Sequence, residues 1–205
     1  MSLISTLGEQ WQQQSPWEIV AVVLAVAYVW LAAKQHIACW LCALISTGIY
    51  VGLMWEVSLP MQSLLNLYYL IMAIYGWYCW RKPKQGVELK VHQMNWQTHL
   101  MIIAGLLVIS AGLIAVVGKS FSPRLPELDV LVTVFSLYAT WLETRKVLES
   151  WLYWQVINTA GIYLCWATGL YLTALLLCMY LGFAFYGYRQ WQQDMNLRQQ
   201  EPECA

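Results

Sequence analysis

The sequence predicts an all-α membrane protein of seven transmembrane helices, arranged as two parallel three-helix bundles joined by a linker helix. Three observations lead there. Of the 205 residues 60% are hydrophobic and 11% charged, where a soluble domain carries roughly 25% charged. With a mean hydropathy of +0.51, 13 Trp and 13 Tyr, the exterior of such a chain is suited to lipid. The charge-free gaps are long enough to cross a bilayer, and one aromatic and basic pattern occurs twice at a fixed offset.

A hydrocarbon core of about 30 Å takes roughly 20 predominantly apolar residues in a helix. Charges divide the chain into six long gaps, at 19–33, 35–55, 57–80, 91–118, 130–142 and 150–188. The last is far too long for one crossing, and Ala167-Thr168-Gly169 supplies a turn near its middle. Seven spans result: 17–33, 37–55, 61–80, 99–117, 127–145, 150–167 and 170–189. The fifth is a crossing if Asp129 and Glu143 lie near the interfaces or are shielded by neighbouring helices. The first 16 residues hold Glu9 and neither Lys nor Arg, so the basic start of a signal peptide is missing and the first span is expected to be retained.

Seven spans place the termini on opposite sides. Lys119 and Arg124 fall on the N-terminal side, whereas nine Lys and Arg, from Lys34 to Arg198, fall on the other. The positive-inside rule then puts the N-terminus outside and the C-terminus in the cytoplasm. The basic residues form no stripe of the kind that tracks phosphates, so nucleic acid is not an expected partner.

The first copy of the repeat reads W-L-A-A-K-Q-H-I-A-C-W-L from Trp30, G-I-Y ending at Tyr50, and Y-G-W-Y-C-W from Tyr75. The second reads W-L-E-T-R-K-V-L-E-S-W-L from Trp141, G-I-Y ending at Tyr163, and Y-G-Y-R-Q-W from Tyr186, so that both outer elements are offset by 111 residues. Each copy holds three helices, 17–80 and 127–189, with the helix 99–117 between them. Three crossings reverse the chain and the linker reverses it again, so the two bundles enter the membrane in the same sense. Parallel repeats of this kind are a transporter architecture, with the substrate between the halves.

Polar residues within the spans mark the candidate site. In the sixth helix Trp151, Trp154 and Asn158 share a face at i, i+3, i+7, with Gln155 beside them. Two aromatic planes and an amide suit a substrate cavity; an interfacial Trp pair with one interhelical hydrogen bond is the competing reading. In the third helix Gln62, Asn66 and Tyr69 form a similar face, although Gln62 follows Pro60 and could sit at the interface. In the fifth, Ser136, Thr140 and Glu143 align, but Ser and Thr often bond back to their own helix. Cys39 and Cys42 form a lone C-x-x-C, better read as small packing residues than as a metal or redox pair. No metal or other cofactor is expected. With no Walker motif and no carboxylate at the centre of a predicted span, passive transport is expected rather than an enzyme or a proton relay.

These residues carry a resemblance. E-S-W-L-Y-W from Glu149, R-K at Arg145, G-L-Y-L-T-A from Gly169, G-Y-R-Q-W from Gly187 and Y-G-W-Y-C-W from Tyr75 resemble the PnuC family of vitamin transporters, from about Trp17 to Trp191. The W-x-x-W at Trp151 and Trp154 is the most specific element. The family's 3+1+3 plan is similar to that of the SWEET sugar transporters. The resemblance implies facilitated diffusion of nicotinamide riboside across the bacterial inner membrane, followed by trapping through a cytoplasmic kinase. Where nicotinamide riboside carriers commonly have Gln in the third and fifth helices, this chain has Asn66 and Thr140, which leaves thiamine or another cationic vitamin as an alternative substrate. The expected partners are such a vitamin and the lipid bilayer, with homo-oligomerisation left open. A seven-helix receptor or scaffold is the alternative from another class; its helices would need no internal symmetry.

Overall fold

The computed structural model describes residues 3–12, 14–56, 60–81, 89–117 and 125–200, apart from the side chains of 3–6, 60–62, 117 and 199. Among the described residues there are eight helices and no strand: α1 Leu3–Gln12, α2 Pro16–Ala33, α3 Cys39–Glu56, α4 Pro60–Arg81, α5 Trp96–Val117, α6 Pro126–Thr144, α7 Ser150–Thr168 and α8 Tyr171–Gln200. Local chemistry sets several of the ends. Ser15 caps α2 by accepting the Glu18 N–H at 3.1 Å, with Pro16 in the first turn. Gly169 ends α7 at φ 82°, a left-handed conformation that glycine adopts without strain.

Two differences from the sequence expectation stand out. The N-terminal segment forms a helix of its own, α1, and Gln10 on it satisfies the turn between α7 and α8. Its amide donates to the Gly169 carbonyl at 2.8 Å and accepts the Leu172 N–H at 3.1 Å, both otherwise orphaned at helix ends. The last helix runs to Gln200 rather than stopping near 189, because Arg189 ends an apolar stretch without ending a helix.

By length and composition α2, α3, α5 and α8 are apolar enough to cross a membrane, whereas α4, α6 and α7 are not. Those three are the helices whose polar residues the sequence picked out. The neighbour relations show why that is tolerated. Helix α2 packs on α3, α3 on α4, α4 on α6, α6 on α7, α7 on α8, and α8 returns to α2, a closed ring of six helices with α5 against the outside of α6. Polar groups facing the interior of such a ring are screened from lipid. Outward, large apolar residues such as Val23, Ile45, Ile71, Val108, Val116 and Val156 are exposed, as a multi-pass membrane protein requires.

Small residues let the helices approach: Ala21, Ala32, Ala33, Cys39, Ala43 and Ala73 are buried. Hydroxyls tie neighbours together, Ser46 to the Ala21 carbonyl at 2.8 Å and Ser63 to the Val51 carbonyl at 3.0 Å.

Positions 111 residues apart share local geometry. Gln35 and Lys146, in the α2–α3 and α6–α7 turns, both have φ 55°, which is uncommon for residues with a Cβ. Around them the same bonds recur: His36 N–H to Leu31 carbonyl at 2.9 Å and Val147 N–H to Leu142 carbonyl at 3.1 Å. The turn at Lys146 also anchors the segment before α5, since His92 exchanges backbone bonds with Lys146 and Leu148 at 3.2 and 2.9 Å.

At this end of the ring four tryptophans close the interior. Trp40 meets Trp80 edge-on at 5.2 Å, Trp151 meets Trp191 edge-on at 5.4 Å, and Trp80 meets Trp191 at 6.1 Å between ring centres. Trp80 donates its indole N–H to the Thr144 carbonyl at 3.2 Å, and Trp191 donates to the Ala32 carbonyl at 3.1 Å. Each bond joins a helix of one repeat to the end of a helix in the other. Glycine makes the packing fit: a Cβ on Gly76 would come within 2.5 Å of the Trp40 ring, and one on Gly187 within 2.6 Å of the Trp151 ring.

Candidate functional site

The polar face of α6 looks into the ring. Ser136, Thr140 and Glu143 are all buried, at the i, i+4, i+7 spacing that puts them on one stripe. The two hydroxyls bond back along the helix, Ser136 to the Val132 carbonyl at 2.7 Å and Thr140 to the Ser136 carbonyl at 2.8 Å. Tyr69 on α4 reaches the Ser136 hydroxyl, and its neighbour Tyr68 donates to the Leu137 carbonyl at 2.8 Å. One pair of adjacent tyrosines thus joins α4 to α6.

Glu143 is 2% exposed and accepts the indole N–H of Trp154, on α7, at 3.1 Å. The Tyr28 hydroxyl, on α2, lies beside the same carboxylate. Helices α2, α4, α6 and α7 therefore converge on one region through Tyr28, Tyr69, Glu143 and Trp154. A buried carboxylate is expensive unless hydrogen-bonded, and here an aromatic donor supplies a bond. Flat aromatic faces beside a carboxylate form an environment for a flat organic cation.

The sequence-selected residues fall into distinct settings. Trp154 is half-buried beside Glu143, and Asn158, one helical turn further on the same face of α7, is 5% exposed. Trp151 lies one turn toward the tryptophan cluster, 2% exposed, against Gly187 and Trp191. Its surroundings are those of a packing residue behind Trp154. Gln155, Asn66 and Tyr69 are half-buried, Thr140 is buried, and the Gln62 side chain lies outside the described residues. Tyr28 was missed because an isolated Tyr in an apolar run gives no signal. Glu143 did give one, through its alignment with Ser136 and Thr140, but a carboxylate one residue from the end of α6 reads in the sequence as an interface residue.

An apolar concavity of about 660 Å³ lies elsewhere, between α5, α6 and α7, lined by residues including Leu100, Ile103, Val132 and Val156. It lies where α5 packs outside the ring. His99 near its polar end is hydrogen-bonded to Tyr153 at 3.1 Å and lies 3.8 Å from Glu149.

Comparison with known proteins agrees with the helical fold. The nicotinamide riboside transporter PnuC of Escherichia coli is 24% identical over 200 residues, covering 85% of this chain and 84% of its own. That of Neisseria mucosa is 29% identical over 188 residues, covering 84% and 70%. A crystal structure of the vitamin B3 transporter PnuC superposes with a TM-score of 0.73 at 26% identity, over 95% of this chain and 90% of that one. The model of the nicotinamide mononucleotide transporter family matches residues 15–193, from the start of α2 into α8, and the chain belongs to that family.

Proposed function

We propose that this chain carries nicotinamide riboside into the cytoplasm across the bacterial inner membrane by facilitated diffusion, with the substrate inside the ring. The observation that carries the proposal is the buried Glu143 carboxylate bonded to the Trp154 indole. Nicotinamide riboside presents a flat pyridinium cation, whose charge is offset by the carboxylate and whose face stacks on the indole. Tyr69 and Asn158 border the same space, Thr140 lines its α6 wall, and Gln155 and Asn66 supply further polar contacts. Trp151 acts from behind, fixing the position of α7 against α8.

The nine-to-two division of basic residues supports an external N-terminus, which makes the tryptophan-closed end cytoplasmic. An inside-negative potential then favours entry of the cation by about 2.3 kcal/mol per 100 mV. A cytoplasmic kinase that phosphorylates the riboside would keep the flux inward. Names borne by the relatives support this substrate, and the two three-helix repeats give the parallel plan such a carrier uses.

The test is uptake of radiolabelled nicotinamide riboside into vesicles containing the purified protein. Uptake should equilibrate along the substrate's electrochemical gradient with no proton or sodium gradient imposed. Accumulation that collapses when an ion gradient is removed would reassign Glu143 to ion coupling, and absence of any uptake would defeat the substrate assignment.

A further inference from the structure

At the end of the ring closed by tryptophans, a second concavity of about 300 Å³ opens between the two repeats. Lys34, Lys146 and Arg198 line it together with Gln35, Asp194 and Trp80. Three cationic side chains thus face one carboxylate, and the carboxylate is engaged: Asp194 Oδ2 accepts from Arg198 Nε at 3.1 Å and from the Gln35 amide at 3.2 Å. Gln35 in turn accepts from Lys146 Nζ at 3.1 Å, which fixes the amide's orientation. Lys146 Nζ lies 4.7 Å from the centre of the Trp80 ring, and Lys34 Nζ 3.9 Å from that of Trp30. The cations are braced by aromatic faces and an oriented amide, in a hollow of small-molecule size.

We propose that this hollow binds a phosphate group. A multiply charged oxyanion matches the excess of positive charge, and Arg198 and the two lysines each carry several N–H donors. Concave walls of one sign concentrate such an anion more than the same charges on a flat surface would. Two sources present this chemistry: a soluble phosphate ester, and the headgroup of an anionic lipid at the edge of the bilayer. Bound phosphate bridges the α2–α3 turn, the α6–α7 turn and α8, and so holds this end of the ring closed. The site itself does not depend on which substrate is carried.

Binding of inorganic pyrophosphate to the purified full chain in an uncharged detergent, followed by calorimetry at low ionic strength, tests the site without any transport step. One site per chain is expected. Lys146→Gln should weaken it about tenfold or more, as loss of a charge-assisted contact does. The paired change Lys34→Gln with Arg198→Gln, at outer positions that carry no core packing, should do the same, and Asp194→Asn should tighten it. Absence of binding at low salt would overturn the proposal, and so would an affinity that all three variants leave unchanged. Repeating the titration in phosphatidylcholine nanodiscs with and without phosphatidylglycerol separates the sources. Competition by the anionic lipid that requires Lys34 and Arg198 identifies a headgroup, and an affinity indifferent to lipid identifies a soluble phosphate; either result supports a phosphate site.

Discussion

Glu143 and Trp154, on adjacent helices, are joined by a 3.1 Å hydrogen bond in which the indole donates to a carboxylate that is 2% exposed. The bond sets the edge of the indole against α6. If the pair forms the cation site, Trp154→Ala should weaken nicotinamide riboside binding by about 1 to 3 kcal/mol, and Trp154→Phe by less. Glu143→Gln keeps an acceptor for the indole and removes the charge. It should weaken binding of the cation about tenfold while sparing the reduced riboside, whose ring is neutral. Titration of both ligands against parent and variants decides this, since equal losses for the two would make Glu143 a brace for α7 and nothing more.

The two glycines under the tryptophans should be among the least replaceable small residues. Gly76→Ala and Gly187→Ala each drive a methyl group into an indole, and overpacking of this kind costs about 1 to 3 kcal/mol. Gly112→Ala on α5 meets nothing within 4 Å and should be close to neutral. Thermal unfolding of the three variants in one detergent gives the comparison, and equal midpoints would show that the cluster yields easily.

Selectivity is addressed by the two shortened polar arms. Thr140 spends its hydroxyl on the Ser136 carbonyl at 2.8 Å, whereas a Gln there would extend an amide from the same wall. The double change Asn66→Gln with Thr140→Gln should shift the ratio of nicotinamide riboside to thiamine affinity about tenfold, or about 1.4 kcal/mol, within the range of a hydrogen bond to a charged ligand. An unchanged ratio in a folded variant would place both side chains outside the site.

Orientation rests on charge alone and can be read directly. A reporter fused after Gln85 should be cytoplasmic and one fused after Ser122 external. The opposite pair of results would turn the molecule over and place the tryptophan cluster and the phosphate hollow outside the cell.

Dividing the chain at its charges located the apolar helices well because charge exclusion from lipid is a strong, local constraint. The 17–33 expectation and the observed Pro16–Ala33 differ by one residue, and the turn at Gly169 lies where small residues marked it. The same method cannot find a helix end that lies in water, which is why α8 was cut short of Gln200 and α1 was missed. Periodicity located the inward faces of α6 and α7 but could not say how deeply each residue on them is buried. Trp151 and Trp154 look alike in the sequence, and the position of Gly187 on α8 separates the buried ring from the half-buried one. Glu143 was undervalued for the converse reason: its shielding comes from Tyr28 and Trp154 on other helices.

Gln35 and Lys146 occupy equivalent places in the two repeats, adopt the same φ of 55°, and touch each other at 3.1 Å. If a twofold axis relates the two copies of the sequence repeat, equivalent residues that meet lie on it. In a dimer of separate, identical three-helix chains, any residue there would face its own copy, lysine against lysine or glutamine against glutamine. Joining the halves into one polypeptide removes that obligation, so a cation can sit against an amide at the axis. The same freedom lets Glu143 in the second copy correspond to Ala32 in the first, where exact symmetry would impose two carboxylates. A flat, singly charged ligand has no twofold symmetry of its own, and a fused, diverged pair of halves can offer it one side that attracts charge and another that does not.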